Sequence, residues 1–157
     1  LEADTFHWCV LSDLGCALER RRSAQLVASA DAFEEAGVID PRKEIRATEV
    51  HDCFSITELV TMEDLGLADE GQAWKAVLDG MFDADGETPC QIDGGLKCFG
   101  HPIGASGLRM LYEMYLQFHG RAGDRQLDDM KLGLTHNLGG HPIQNVCSIS
   151  IVGHYDG

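Results

Sequence analysis

Hydrophobic periodicity along this chain switches between a repeat of three to four residues and a repeat of two, and few folds accommodate that alternation. From Ser23 to Ala36, Leu26, Ala30 and Phe33 recur at helical spacing, with Ser23 placed to cap the start and Gly37 to stop the end. Ile39-Asp40-Pro41 reads as a turn, and Ile45 to Val50 as a short strand that delivers the chain to His51. Ile56 to Leu65, closed by Gly66, and Glu70 to Gly80 return to helix. Leu108, Leu111, Tyr112, Tyr115 and Leu116 share one side of a strongly amphipathic helix, which Gly120 to Gly123 end. Lys131 to Thr135 and Val146 to Val152 read as strands, the second with Cys147, Ile149 and Ile151 on one face and Ser148 and Ser150 on the other. Between them, His136 to Pro142 is too rich in glycine for a strand and is expected to be a loop. Phe6 to Leu11 is apolar enough for a strand and Arg20-Arg21-Arg22 suits a solvated face, but residues 1–22 are otherwise unassigned. Strands alternating with helices predict an α/β layered domain.

Composition removes several classes of function. A length of 157 residues predicts one domain with a workable core. The net charge of −14 argues against a nucleic acid partner, which needs a basic face. A solvated acidic surface accounts for it, and a basic partner subunit is the alternative. No stretch approaches the roughly 20 apolar residues that cross a bilayer, so no membrane partner is expected. The N-terminus lacks a signal-peptide pattern, and the start at Leu1 raises the expectation of a processed product, a fragment or a split subunit. The six cysteines lie far apart with no CxxC pair, which disfavours zinc, and the apolar content disfavours a disulfide scaffold. Free thiols in a reducing, cytoplasmic compartment fit best. Asp83-x-Asp85-Gly86 resembles part of a calcium loop without its ligand set.

Three segments could carry chemistry. In His51-Asp52-Cys53-Phe54 a thiol stands two residues from a histidine at a strand end, suited to acid/base work, although an inert free cysteine fits that spacing better on its own. In Gly100-His101-Pro102-x-Gly104, Pro102 suits the first turn of a helix and the glycines admit a ligand close to the backbone. A histidine at the positive end of a helix is discouraged from protonation and suits a base or neutral donor, while a simple capping histidine fits equally well. In His136-Asn137-Leu138-Gly139-Gly140 the glycines could aim N–H groups at an oxyanion, and a tight surface turn would need the same residues.

The combination is more specific than its parts. His-Asp-Cys-Phe at 51–54, Gly-His-Pro-Ile-Gly-Ala-Ser-Gly at 100–107 and His-Asn-Leu-Gly-Gly at 136–140 resemble the C-terminal half of thiolases, in the sterol-carrier-protein-linked and acetyl-CoA acetyltransferase branch. Ala32 to Val38, Glu49-Val50 and Gly120-Arg121-Ala122-Gly123-x-Arg125-Gln126 agree, so the resemblance covers roughly residues 23–153. It implies a βαβαβαββ half, a mixed sheet covered by helices, over residues 23–157. It implies Claisen condensation or thiolytic cleavage of 3-ketoacyl-CoA, with coenzyme A thioesters as substrates and no further cofactor or metal. Cys53 would be the second acid/base. His101 would take the proton of the nucleophilic cysteine and then join an oxyanion hole, where His51 replaces an asparagine that holds a water. Asn137 and Gly139 fall on a Cys-x-Gly motif, the Gly139 N–H lining a second oxyanion hole, and Gly100 and Pro102 would stand beside the substrate.

The family's nucleophile belongs to an N-terminal half, and none of the other five cysteines has its context. That half is expected from the same longer chain or from a partner subunit, in a homo- or hetero-oligomer. His141 is assigned no role. A non-catalytic subunit scaffolding an acyl-CoA complex is the alternative, but scaffolding has no need of Cys53 and His101. A thiolase-fold aldolase or polyketide-type acyltransferase would be expected to replace the cysteine acid/base, and a His/Cys metal module fails on spacing.

Overall fold

The computed structural model describes residues 9–13, 24–141 and 144–154. Phe6 to Trp8, the arginine run at 20–22, the Ser23 cap and Pro142 lie outside them. In chain order the elements are β1 (Cys9–Asp13), α1 (Ala24–Ala36), the single turn α2 (Pro41–Glu44), β2 (Ile45–Glu49), α3 (Ser55–Asp64), α4 (Ala73–Leu78), α5 (Gly95–Phe99), α6 (Ser106–Phe118), β3 (Leu132–His141) and β4 (Gln144–Gly153). The strands form one sheet in the order β1-β4-β3-β2, with β4 antiparallel to both neighbours and β2 parallel to β3. This is the mixed, helix-covered α/β arrangement expected.

The edge beyond β2 is rudimentary. Thr48 donates to the Pro89 carbonyl (3.0 Å) and accepts from the Gln91 N–H (2.9 Å), giving one parallel bridge to Cys90. Gln91 then takes φ 56° and turns the chain away, so no further strand develops among the described residues.

Both faces of the sheet are covered. One buries Ile45, Leu134, Cys147, Ile149 and Ile151 with Ala28 and Ala32 of α1 and Met62 of α3. The other buries Ala47 and Val152 with Met114 and Phe118 of α6. Ile45 and Ala47 should share a face at a period of two, but a register shift at Arg46 sends them to opposite cores. Gly37 (φ 70°) and Gly66 (φ 68°) end α1 and α3 as expected, each followed by an N–H that reaches back five residues, Val38 to Phe33 and Leu67 to Met62, both at 2.9 Å.

The helix faces differ from the sequence reading. On α1 the buried positions are Gln25, Ala28, Ser29 and Ala32, while Leu26 and Ala30 turn outward. Small side chains let α1 approach the sheet, and the polar ones are bonded: Thr61 donates to Gln25 (2.8 Å), and Ser29 to the Leu26 and Asp64 carbonyls. On α6 the buried face is Met110, Glu113, Met114, Gln117 and Phe118, whereas Leu108 and Tyr112 are 69% and 60% exposed. Glu113 and Gln117 tolerate burial because Arg125 pairs with Glu113 (2.9 Å) and Gln117 binds the Arg125 carbonyl and the Leu127 N–H (2.8 and 2.9 Å). That explains the Arg125-Gln126 motif: it fastens the turn after α6 to the helix. The one-turn helices α2 and α5 were not foreseen. In α2, Glu44 reaches back to the N–H groups of Ile39 and Asp40 (2.8 and 2.6 Å), as a capping glutamate does.

α6 meets β3 at Gly133, where an added Cβ would stand 2.5 Å from Met114 Sδ and 3.4 Å from Phe118. Gly133→Val is therefore expected to destabilise the fold by about 1–3 kcal/mol, as overpacking typically does. Urea unfolding checks this, and an unchanged midpoint would contradict the close packing.

Candidate active site

The path into the site begins where β2 runs out. Past Glu49 a side chain takes over from the missing strand: the Gln91 amide donates to the Val50 carbonyl (2.8 Å) and accepts from its N–H (3.3 Å). His51 follows, buried, its backbone N–H donating to Nδ1 of His136 (3.4 Å). Asp52 turns toward α5 and accepts the Leu96 N–H at 2.9 Å. Cys53 is thereby left exposed just before α3, with Sγ 3.8 Å from the Thr57 hydroxyl one turn along.

His101 comes from the opposite side. Its Nδ1 lies 2.7 Å from Ser106 Oγ, and its ring meets His51 edge to face with centroids 4.9 Å apart. Pro102 does not occupy the first turn of a helix, as its ring chemistry suggested; α6 starts only at Ser106. Pro102 instead offers its carbonyl to the N–H groups of Ala105 (2.7 Å) and Ser106 (3.1 Å), forming the turn that precedes the helix.

The third segment is the clearest correction. His136 to His141 is not a loop but the second half of β3, paired residue by residue with β4: Asn137 opposite Ser148, Gly139 opposite Val146. The β-branched Val146, Ile149, Ile151 and Val152 make β4 a firm template, and its ladder overrides the poor strand propensity of the glycines. β2 stops at Glu49 opposite Thr135, so beyond Thr135 the strand has a neighbour on one side only among the described residues. Alternate N–H groups between His136 and His141 therefore face the open side, toward the end of β2. Asn137 lies over α6, its amide 3.1 Å from where a Cβ on Gly107 would stand.

These pieces enclose a cavity of about 610 Å³ lined by His51, Cys53, His101, Asn137 and Gly139, with apolar walls from Phe54, Ile103, Leu138 and Val146. Five of the seven anticipated residues thus converge; Gly100 and Pro102 do not line it. A larger depression of about 770 Å³ lies between Arg42, Lys75 and the acids Asp69, Asp79, Asp83, Asp85 and Glu87. It contains no cysteine or histidine, and Arg42 is already paired with Asp69 at 2.6 Å. Chemistry, not volume, selects the smaller cavity.

Several residues that hold the site in place escaped the sequence reading. His136 is fully buried in the apolar layer, and burial, with His51 beside it, pushes its pKa down to about 3. Burial and the neighbouring His101 likewise hold His51 below the ordinary histidine value, against the pull of Asp52. Both rings are neutral near pH 7. Arg109 of α6 binds Glu49 (3.1 Å) and Asp93 and lies over the Phe99 ring, tying β2, the 91–99 turn and α6 together. Burial nonetheless pushes the Glu49 carboxyl up to about 8. In the sequence Glu49 figures only as a flank of the His51 motif and Asp93 as one acid among many; the packing reveals their pairing with Arg109.

The depressed pKa of His136 has a signed consequence. Between about 3 and the ordinary 6.5 the unfolded chain binds the proton that the folded chain refuses, so the His136 contribution to stability is complete above 6.5 and lost as pH falls toward 3. Glu49, raised to about 8, works in the opposite direction between 4.5 and 8, so the difference is the test: in urea unfolding at stepped pH the wild type is expected to lose several kcal/mol more than His136→Gln between 6.5 and 3. An equal loss in the variant would assign the acid lability to other groups.

Comparison with known proteins places the fold. A family profile described as thiolase C-terminal domain-like matches residues 17–151. The chain is 42% identical over 120 residues to the acetyl-CoA acetyltransferase of Methanothermobacter thermautotrophicus, covering 76% of this chain and 31% of that protein. It is 36% identical over 137 residues to sterol carrier protein 2 of Homo sapiens, covering 83% and 25%. Among solved structures, a chain of an Ltp2-ChsH2(DUF35) aldolase superposes with a TM-score of 0.69 at 24% identity, over 83% of this chain and 31% of that one, a likeness of fold alone. The chain therefore spans about a third or less of the length of these relatives.

Proposed function

Since this chain belongs to the thiolase C-terminal domain-like family, we propose that it contributes the acid/base and oxyanion-stabilising part of an acyl-CoA acyltransferase site. The observation that supports this best is the convergence of Cys53, His51 and His101 with the one-sided stretch of β3 on a single cavity. The similarity to acetyl-CoA acetyltransferases agrees with it. The nucleophilic cysteine comes from an N-terminal half, on the same longer chain or on a partner.

In this reading His101 accepts the proton of that nucleophilic thiol, which attacks an acyl-CoA and expels coenzyme A. Cys53, as thiolate, removes an α-proton from a second thioester, acetyl-CoA. The resulting enolate would be unaffordable in water at neutral pH, so fixed donors must meet its oxygen. His51, neutral and edge-on to His101, stands where it can help; Asn137 and the Gly139 N–H serve the other carbonyl. The enolate carbon attacks the acyl-cysteine, the new carbon–carbon bond forms, and the cysteine leaves as thiolate. Thiolysis is the same sequence reversed. The mixed walls suit a substrate with an apolar acyl part and a polar thioester: Phe54 is 71% exposed at the rim.

The purified 157-residue chain is expected to show no thiolysis of acetoacetyl-CoA, because the nucleophile is elsewhere. Activity from the chain alone would overturn that division of labour. In the complete enzyme, Cys53→Ala and His101→Ala should each lower turnover about 100-fold or more, the usual scale of acid/base contributions. A variant with near-normal turnover would remove the role given to that residue.

A further inference from the structure

We infer that Ser106 is a positioning residue that sets the tautomer of His101, an inference that rests on the reading of His101 as the base. Ser106 is the first residue of α6 and only 3% exposed. Its Oγ lies 2.7 Å from His101 Nδ1, and it donates to the Pro102 carbonyl at 3.3 Å. A hydroxyl has one proton to give. The Pro102 carbonyl also takes the Ala105 and Ser106 N–H groups; assigning the hydroxyl proton to it as well makes the short contact to the ring Nδ1–H donating into Ser106 Oγ. The chain of donors therefore runs outward, from imidazole to hydroxyl to carbonyl, and ends on a group that can only accept.

This polarity has a chemical consequence. With Nδ1 protonated, Nε2 is left with its lone pair for a thiol in the cavity. When Nε2 takes that proton the ring carries two N–H groups, and the one at Nδ1 already has its acceptor. No partner has to reorient as the proton moves. The opposite polarity, with the hydroxyl donating into Nδ1, would place the proton on Nε2 and leave the ring unable to accept. Protonating such a ring would also set two donors against each other. The 4.9 Å edge contact with His51 restrains the ring plane, but it fixes no proton. Ser106 does that.

The same feature explains why a serine at the start of α6 is buried rather than capping the helix: the N-cap position is Ala105, with no side-chain cap. The Ser106 side chain is turned back onto the preceding turn. In the sequence it is one residue of the glycine-rich run 100–107.

The test is long-range ¹H–¹⁵N NMR of the full chain labelled with ¹⁵N-histidine, with His101→Gln to assign the signal. The wild-type ring is expected to be the Nδ1–H tautomer, Ser106→Ala to shift it toward Nε2–H, and Ser106→Thr to restore it. A wild-type ring protonated at Nε2, or an unchanged tautomer in Ser106→Ala, overturns the inference, and the wild-type spectrum alone suffices if the alanine variant does not fold. In the complete enzyme Ser106→Ala should lower kcat roughly 10- to 100-fold with KM for the acyl-CoA within about twofold and the melting temperature unchanged. If the tautomer shifts and kcat does not, Ser106 keeps its positioning role and His101 loses its role as base. If kcat falls with the tautomer unmoved, the positioning role is lost.

Discussion

The ladder between β3 and β4 is the interaction on which the rest of this structure depends. It runs without a break from Leu132 opposite Gly153 to His141 opposite Gln144. Because it outruns β2 by six residues, it carries Asn137 and Gly139 past the end of the neighbouring strand and leaves part of their backbone without a second strand partner among the described residues. The alternation of the strand then divides labour between its faces. Leu134, His136 and Leu138 turn to the layer beneath α1 and α3, and His136 receives the His51 N–H there. Gly133 and Asn137 turn to α6, where Gly133 lets Met114 pack and Asn137 fits against Gly107. A ladder held together by Val146, Ile149, Ile151 and Val152 thus lets a glycine-rich segment be both rigid and open.

A second constraint is the burial of charge and amide groups between β2, α6 and the turns that join them. Arg109 with Glu49 and Asp93, and Arg125 with Glu113 and Gln117, replace apolar contacts at places where the two halves of the site must keep register. Such groups are tolerated only when partnered. Their value here is geometric: the Gln91 amide and the Asp52 carboxylate each hold a particular backbone group, Val50 in one case and Leu96 in the other. Through them the turn carrying His51 and Cys53 is fixed from two directions. Placement of the site therefore comes from polar side chains on loops, while stability comes from the layers below.

How much of this was legible in the sequence follows from the same distinction. Strands and helices with strong periodicity, such as β4 with its buried Cys147, Ile149 and Ile151, read correctly, as did the glycine stops after α1 and α3. Of the residues singled out for chemistry, Cys53, His51, His101, Asn137 and Gly139 share a cavity, while Gly100 and Pro102 do not line it. What failed was inference from local preference. The glycines of 136–140 argued for a loop, and only the partner strand decided otherwise. The apolar stripe of α6 argued for a buried Leu108 and Tyr112, and only the fixed position of Arg125 explains why Glu113 and Gln117 are buried instead. Ser106 and His136 could not have been singled out, since their significance lies in what stands opposite them.

The central claim is that Cys53 removes a proton from the carbon beside a thioester. The most direct measurement is exchange of the methyl protons of acetyl-CoA with solvent deuterium, catalysed by the complete enzyme and followed by mass spectrometry, alongside formation of the acyl-enzyme. The account predicts exchange in the wild type, and in Cys53→Ser loss of exchange while acylation of the nucleophilic cysteine continues. Undiminished exchange in that variant would show that the base lies elsewhere.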